Sequence, residues 1–171
     1  MIHLHPADYI RQPWANGRGI TTELYRIEQN GTLLLRLSMA TVTEDGPFSL
    51  FPGIERNLTV LTGPGFTLTS DTFRLDARPL IPIAFAGDVA VAATNVTAPS
   101  TDFNVMTARS LPRPVVRVVS LATLPAIAQR AIFALVPASV NGKALARHDL
   151  VLTDQTVVLS GQALVIDFAT V

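Results

Sequence analysis

Apolar and polar residues alternate over short stretches of this chain, with Gly, Pro, Asn and Asp between the stretches, and a period of two is the mark of strands. Thr21 to Ile27 and Thr32 to Val42 read as a hairpin, because Asn30-Gly31 suits the positive φ of a two-residue turn. Asp45-Gly46-Pro47 makes the next turn, Arg56 to Leu61 a further strand, and Gly63-Pro64-Gly65 returns the chain into Phe66 to Thr69. Phe73 to Leu75, Ile81 to Phe85, Val89 to Thr94 and Phe103 to Ala108 continue the pattern. Pro79, Pro82 and Pro99 keep these strands short, since proline cannot donate to a ladder. Leu111-Pro-Arg-Pro114 is the best internal boundary, and beyond it Val115 to Ser120, Ile132 to Val136, Leu150 to Leu152, Val157 to Leu159 and Leu164 to Phe168 again read as strands. Two short helices are expected, one from Pro6 to near Pro13 and one over Leu121 to Arg130. The texture is that of an all-β chain, a closed barrel or sandwich whose motif recurs.

Composition agrees: 45 of the 171 residues are Val, Ile or Thr, whose branched side chains pack well on a pleated surface. Thirteen cationic residues balance thirteen acidic ones, so a nucleic-acid or membrane surface finds no electrostatic support and neither is expected as a partner. The absence of cysteine removes disulfides, thiolate catalysis and Cys-based metal sites. Met1-Ile-His-Leu-His-Pro lacks the basic start and apolar run of a signal peptide, and no run approaches the roughly 18 apolar residues of a membrane span, so a cytoplasmic protein is expected. The Asn-x-Thr triplets at Asn30, Asn57 and Asn95 then read as chance in a Thr-rich chain.

Few residues offer chemistry. His3 and His5 would share a strand face, a spacing seen in metal sites, but with no carboxylate pair nearby they read as a solvated terminal strand. His148-Asp149 reads as a turn, and no Gly-x-Ser-x-Gly elbow is present. The only tryptophan, Trp14, stands with Asn16, Gly17 and Gly19 in a loop that caps a barrel end or lines a ligand. Alternation puts Leu34, Arg36, Ser38 and Ala40 on one face of their strand, and Arg56, Leu58 and Val60 on one face of theirs. An inward arginine needs an anion, from the chain or from a ligand. Asp102, Asn104 and Met106 share a third face; Asp88 or Asp102 could pair with Arg36, Arg56 or Arg109.

Together these motifs resemble one family. Trp14-x-Asn-Gly-x-Gly-x-Thr, Arg-x-Ser-x-Ala at Arg36 to Ala40, Asp45-Gly-Pro-Phe-Ser-x-Phe-Pro-Gly-x-x-Arg56, Phe85-x-Gly-Asp88 and Asp102-Phe-Asn-Val-Met106 are similar to the HutD/Ves family. The resemblance implies a cupin double-stranded β-helix, a jelly-roll barrel in a compact two-lobed bicupin. Its main lobe would be residues 1–110, carrying the Trp/Gly loop, with a second, smaller β lobe at 111–171 packed on the first. Setting the cupin metal motif on Gly63 puts Arg56 where the motif has Glu and Ser49 and Phe51 near its histidines, so neither a metal nor another cofactor is expected. The family is associated with bacterial histidine utilisation in its HutD branch and with stress response in its Ves branch. By that implication Trp14, Asn16, Arg36, Ser38, Arg56 and Asn104 line a pocket for a small acidic metabolite such as formylglutamate or urocanate, with no catalytic residue. A guanidinium fork matches a dicarboxylate better than it matches urocanate. Two other readings stay open. One is an enzyme on a small acid with Asp88, Asp102 or His148 as general base; the other is a protein–protein module, a homodimer in its simplest form.

Overall fold

The structure, a computed structural model, describes residues 1–14, 17 and 19–169. Its strands begin with β1 (Ile2–Leu4), β2 (Ile10–Pro13), β3 (Ile20–Gln29), β4 (Thr32–Val42), β5 (Gly46–Pro47) and β6 (Ile54–Thr62). They continue with β7 (Phe66–Thr69), β8 (Arg74–Ala77), β9 (Ile83–Ala86), β10 (Ala92–Thr94), β11 (Ser100–Ala108) and β12 (Val115–Leu124). The last are β13 (Gln129–Ala134), β14 (Ala138–Val140), β15 (Lys143–Leu145), β16 (Leu150–Thr153) and β17 (Val157–Phe168). Among the described residues no helix is long and apolar enough to cross a membrane.

Neither expected helix forms as such. Pro6–Asp8 makes a single 3-10 turn, because the chain must extend again for Ile10–Pro13 to pair with Ile20–Glu23 along β3. Leu121–Arg130 is not helical either: β12 runs on to Leu124 against β17, and β13 starts at Gln129. Leu121 sits at a register shift with φ of 52°, and the ladder with β17 overrides any local helical preference.

Two compact units result, Ile10–Ser110 and Met1–Tyr9 with Leu111–Val171. Residues 1–9 therefore leave the lobe expected for them, because β1 pairs with β16, Ile2 opposite Leu152 and Leu4 opposite Leu150. This unit holds seven strands in the order β1-β16-β13-β17-β14-β15, with β12 also on β17, around Ile132, Val151, Leu159 and Val165.

The Ile10–Ser110 unit has a six-stranded sheet, β2-β3-β4-β11-β6-β9, and a four-stranded one, β5-β10-β7-β8. Val42, Leu58, Val60 and Phe85 from the first meet Phe66, Leu68, Ala77 and Ala93 from the second in one apolar core. The β6–β7 turn needs its glycines: Gly65 has φ of 85°, and a Cβ there would lie 2.0 Å from the Ala77 carbonyl oxygen.

Candidate functional site

β11 runs between β4 and β6, with Asn104 opposite Ser38 and Leu58, and Met106 opposite Arg36 and Arg56. Cross-strand neighbours share a face. Arg36, Ser38 and Ala40, Arg56, and Asp102, Asn104 and Met106 thus converge on a cavity of about 430 Å³, completed by Trp14, Thr21 and the segment Pro47 to Phe51. That volume suits a small molecule. Along β6 the same face turns apolar at Leu58 and Val60, which belong to the unit's packed core rather than to the cavity lining.

Arg56 is only 6% exposed. Its guanidinium lies 5.0 Å from the Phe85 ring centre, 5.2 Å from that of Phe48 and 5.4 Å from that of Phe51. Nη2 donates to Asn104 Oδ1 at 2.6 Å, and Asn104 Nδ2 donates to Asp102 Oδ1 at 2.5 Å. Asp102 thus meets the arginine through the amide. Arg56 Nε and Asp102 Oδ2 are buried with no hydrogen-bond partner among the described residues, a condition that costs about 1–3 kcal/mol per group. Burial lowers Arg56 to about 10, against the opposing pull of the Asp102 charge, and leaves it cationic at neutral pH. Burial raises Asp102 to about 7, with Arg56 and Asn104 pulling the other way, so near neutrality it holds or releases a proton.

The remaining sequence candidates divide. Ser38 is buried on the lining, and Arg36 Nε donates to Glu23 Oε2 at 2.6 Å. Glu23 had no assigned role, although the Asn30-Gly31 turn sets Glu23 opposite Ser38, one step from Arg36. Trp14 Nε1 donates to Thr21 Oγ1 at 2.8 Å, and its ring lies so near Gly19 that a Cβ there would fall 2.8 Å from it. Asn16 lies outside the described residues. Asp88 is not a pocket acid. The Gly87 backbone bonds with Phe51 and Ile54, and Asp88 turns outward to take both terminal nitrogens of Arg109 at 2.8 and 2.9 Å. Arg109 holds the Asp88 carboxyl down at about 2. His148 belongs to the other unit, where its ring stacks on Phe133 at 5.3 Å. The three phenylalanines around Arg56 escaped the sequence reading, because a Phe beside strands reads as core.

The lining does not fit the cation that cupin folds often hold. A buried guanidinium stands in the cavity and no histidine is among its lining residues, so the donors suit an anion. Arg130 in the other unit provides a contrast. It is 1% exposed, with Nε and Nη2 on Asp167 at 2.6 and 3.2 Å and Nη1 on the Pro125 carbonyl at 2.8 Å. Among the described residues, all three nitrogens of Arg130 find a partner and Nε of Arg56 does not.

The HutD family matches residues 6–169. The chain belongs to the HutD family. HutD from Pseudomonas fluorescens SBW25 superposes with a TM-score of 0.90 at 29% identity, covering 98% of this chain and 97% of that one. An uncharacterized 21.2 kDa Pseudomonas putida protein in the hutC 3′ region is 39% identical over 108 residues, 60% of this HutD-family chain and 56% of that protein. The chain thus matches little more than half the length of that curated relative. A cupin 2 conserved barrel domain protein from Leptotrichia buccalis, 8% identical, shares the fold with a TM-score of 0.57 over 89% of each chain. The fold is a cupin β-barrel.

Proposed function

We propose that this HutD-family protein binds a small carboxylate metabolite in the β4–β6–β11 cavity and serves histidine utilisation as an accessory or regulatory protein, without turning its ligand over. The observation that carries the reading is Arg56, a buried cation that among the described residues has a spare donor and no directly bonded acid. Its Nε would take one carboxylate oxygen, and a protonated Asp102 could donate from Oδ2 to the other. Arg36, held through Nε by Glu23, also lines the cavity and would meet a second acidic group there, which favours a dicarboxylate such as formylglutamate over urocanate. Trp14, which lines the cavity, would pack its ring against the ligand. HutD from Pseudomonas fluorescens SBW25 was solved in a formate condition, formate being the simplest carboxylate. The hutC neighbourhood of the Pseudomonas putida relative supports the histidine-utilisation setting.

Calorimetry with formylglutamate, glutamate, urocanate and formate tests this. One of them should bind stoichiometrically, and Arg56→Ala should weaken it about 30-fold or more, as loss of one partner of a buried charged contact does. Silence from all four would overturn the proposal.

One observation favours a second reading. Asp102 titrates near 7 inside the cavity, where a general base would stand, whereas Asp88 is tied to Arg109 and His148 is in the other unit. NMR of the same compounds incubated with the protein decides: turnover that disappears in Asp102→Asn would make the protein an enzyme.

A further inference from the structure

The unit built from Met1–Tyr9 and Leu111–Val171 holds a cluster that the carboxylate cavity does not involve. His3 comes from β1, His5 from the end of that segment, and Asp149 from the residue before β16. His3 Nε2 lies 2.9 Å from Asp149 Oδ2, His5 Nδ1 lies 3.1 Å from Asp149 Oδ1, and the ligating atoms of all three fall within 4.8 Å of one another. Donors about 2.0–2.1 Å from a tetrahedral ion stand roughly 3.3 Å apart. The separation between His3 Nε2 and Asp149 Oδ2 is already close to that; His5 meets the other carboxylate oxygen, and its separations from these two donors, within 4.8 Å, close by rotation of the His5 ring, whose side chain is 56% exposed.

The backbone holds these groups in place. The β1–β16 ladder fixes His3 opposite Val151. Asp8 accepts the His5 N–H at 2.7 Å and returns its own N–H to the His5 carbonyl at 2.8 Å. The Ala146 N–H donates to Asp149 Oδ2 at 3.0 Å, which orients the carboxylate from behind. Asp149 and His3 have side chains only 3% and 9% exposed, so His3 is not the solvated residue expected of a terminal strand, whereas His5 remains exposed; the acid arrives from 144 residues beyond His5 along the chain.

We propose that His3, His5 and Asp149 form a binding site for a divalent cation of the zinc class, with two imidazoles, one carboxylate and an open fourth position. Nitrogen donors select such an ion over magnesium or calcium, which prefer all-oxygen shells. Bound there, the ion clasps the segment His3–His5 to the start of β16.

Untagged full-length protein, titrated with zinc by calorimetry and with cobalt by visible absorption, tests the site. The expected result is one equivalent bound, with tetrahedral cobalt bands, and at least a tenfold loss of affinity in both His3→Ala and His5→Ala. His5 is half exposed, so His5→Ala keeps the test valid even where Asp149→Asn fails to fold. No zinc binding, or binding unchanged in both histidine variants, would overturn the site. Zinc should also slow amide exchange in Ile2–Leu4; unchanged exchange on binding would overturn the clasp.

Discussion

Arg130 and Arg56 are both buried, yet they make opposite demands on the protein. Arg130 is locked to Asp167 and the Pro125 carbonyl, so Arg130→Met would leave that carbonyl without its donor and Asp167 with Arg117 alone, and should cost about 1–3 kcal/mol in denaturant unfolding. Arg56→Met removes a charge whose Nε has no partner among the described residues, so its cost should be smaller while carboxylate binding is lost. Comparing the two unfolding midpoints separates a structural arginine from one held for a ligand. Asp102 predicts a pH dependence with a definite sign. Its ordinary value is 3.8 and its folded value about 7, so between these the unfolded chain has released the proton and the folded chain still holds it. Its contribution to stability therefore falls as pH rises from about 4 to about 7, and Asp102→Asn should flatten the curve there. Carboxylate affinity should fall as pH rises through 7, because an ionised Asp102 repels the ligand; calorimetry across pH 6 to 8 checks it.

At the scale of strands, much of the site was legible because it depends only on alternation. The shared faces of Arg36 with Ser38, of Arg56 with Leu58, and of Asp102 with Asn104 follow from a period of two, and the Asn30-Gly31 turn follows from its dipeptide. What depended on register or distant pairing was not legible. Glu23 on Arg36 needed the hairpin register to be counted outward from the turn, and Asp149 beside His3 needed the β1–β16 ladder. Leu121 to Leu124 misled because a short apolar run does not show whether a strand waits to pair with it, as β17 does. Turn glycines give a graded prediction. Gly31 at φ of 76° has open space where a Cβ would go, so Gly31→Ala should cost about 1 kcal/mol, from backbone strain alone. Gly65→Ala adds overlap with the Ala77 carbonyl and should cost well above that, read from melting temperatures of both variants.

Across the whole molecule, the two units divide the chemistry: Ile10–Ser110 contains the anion-receptive cavity, and the other unit contains the His3–His5–Asp149 cluster. Hydrogen exchange should therefore report the two ligands separately, a carboxylate slowing β4, β6 and β11 and zinc slowing β1 and the start of β16. The units also differ in how the chain composes them. Ile10–Ser110 is continuous in sequence, whereas β1 finds its partner only at Leu150–Leu152. During synthesis the cavity-bearing unit can fold as soon as Ser110 has left the ribosome, while the first nine residues wait, unpaired, for some 140 more to be translated. A stalled or truncated nascent chain would then hold a finished cavity beside an unfinished neighbour.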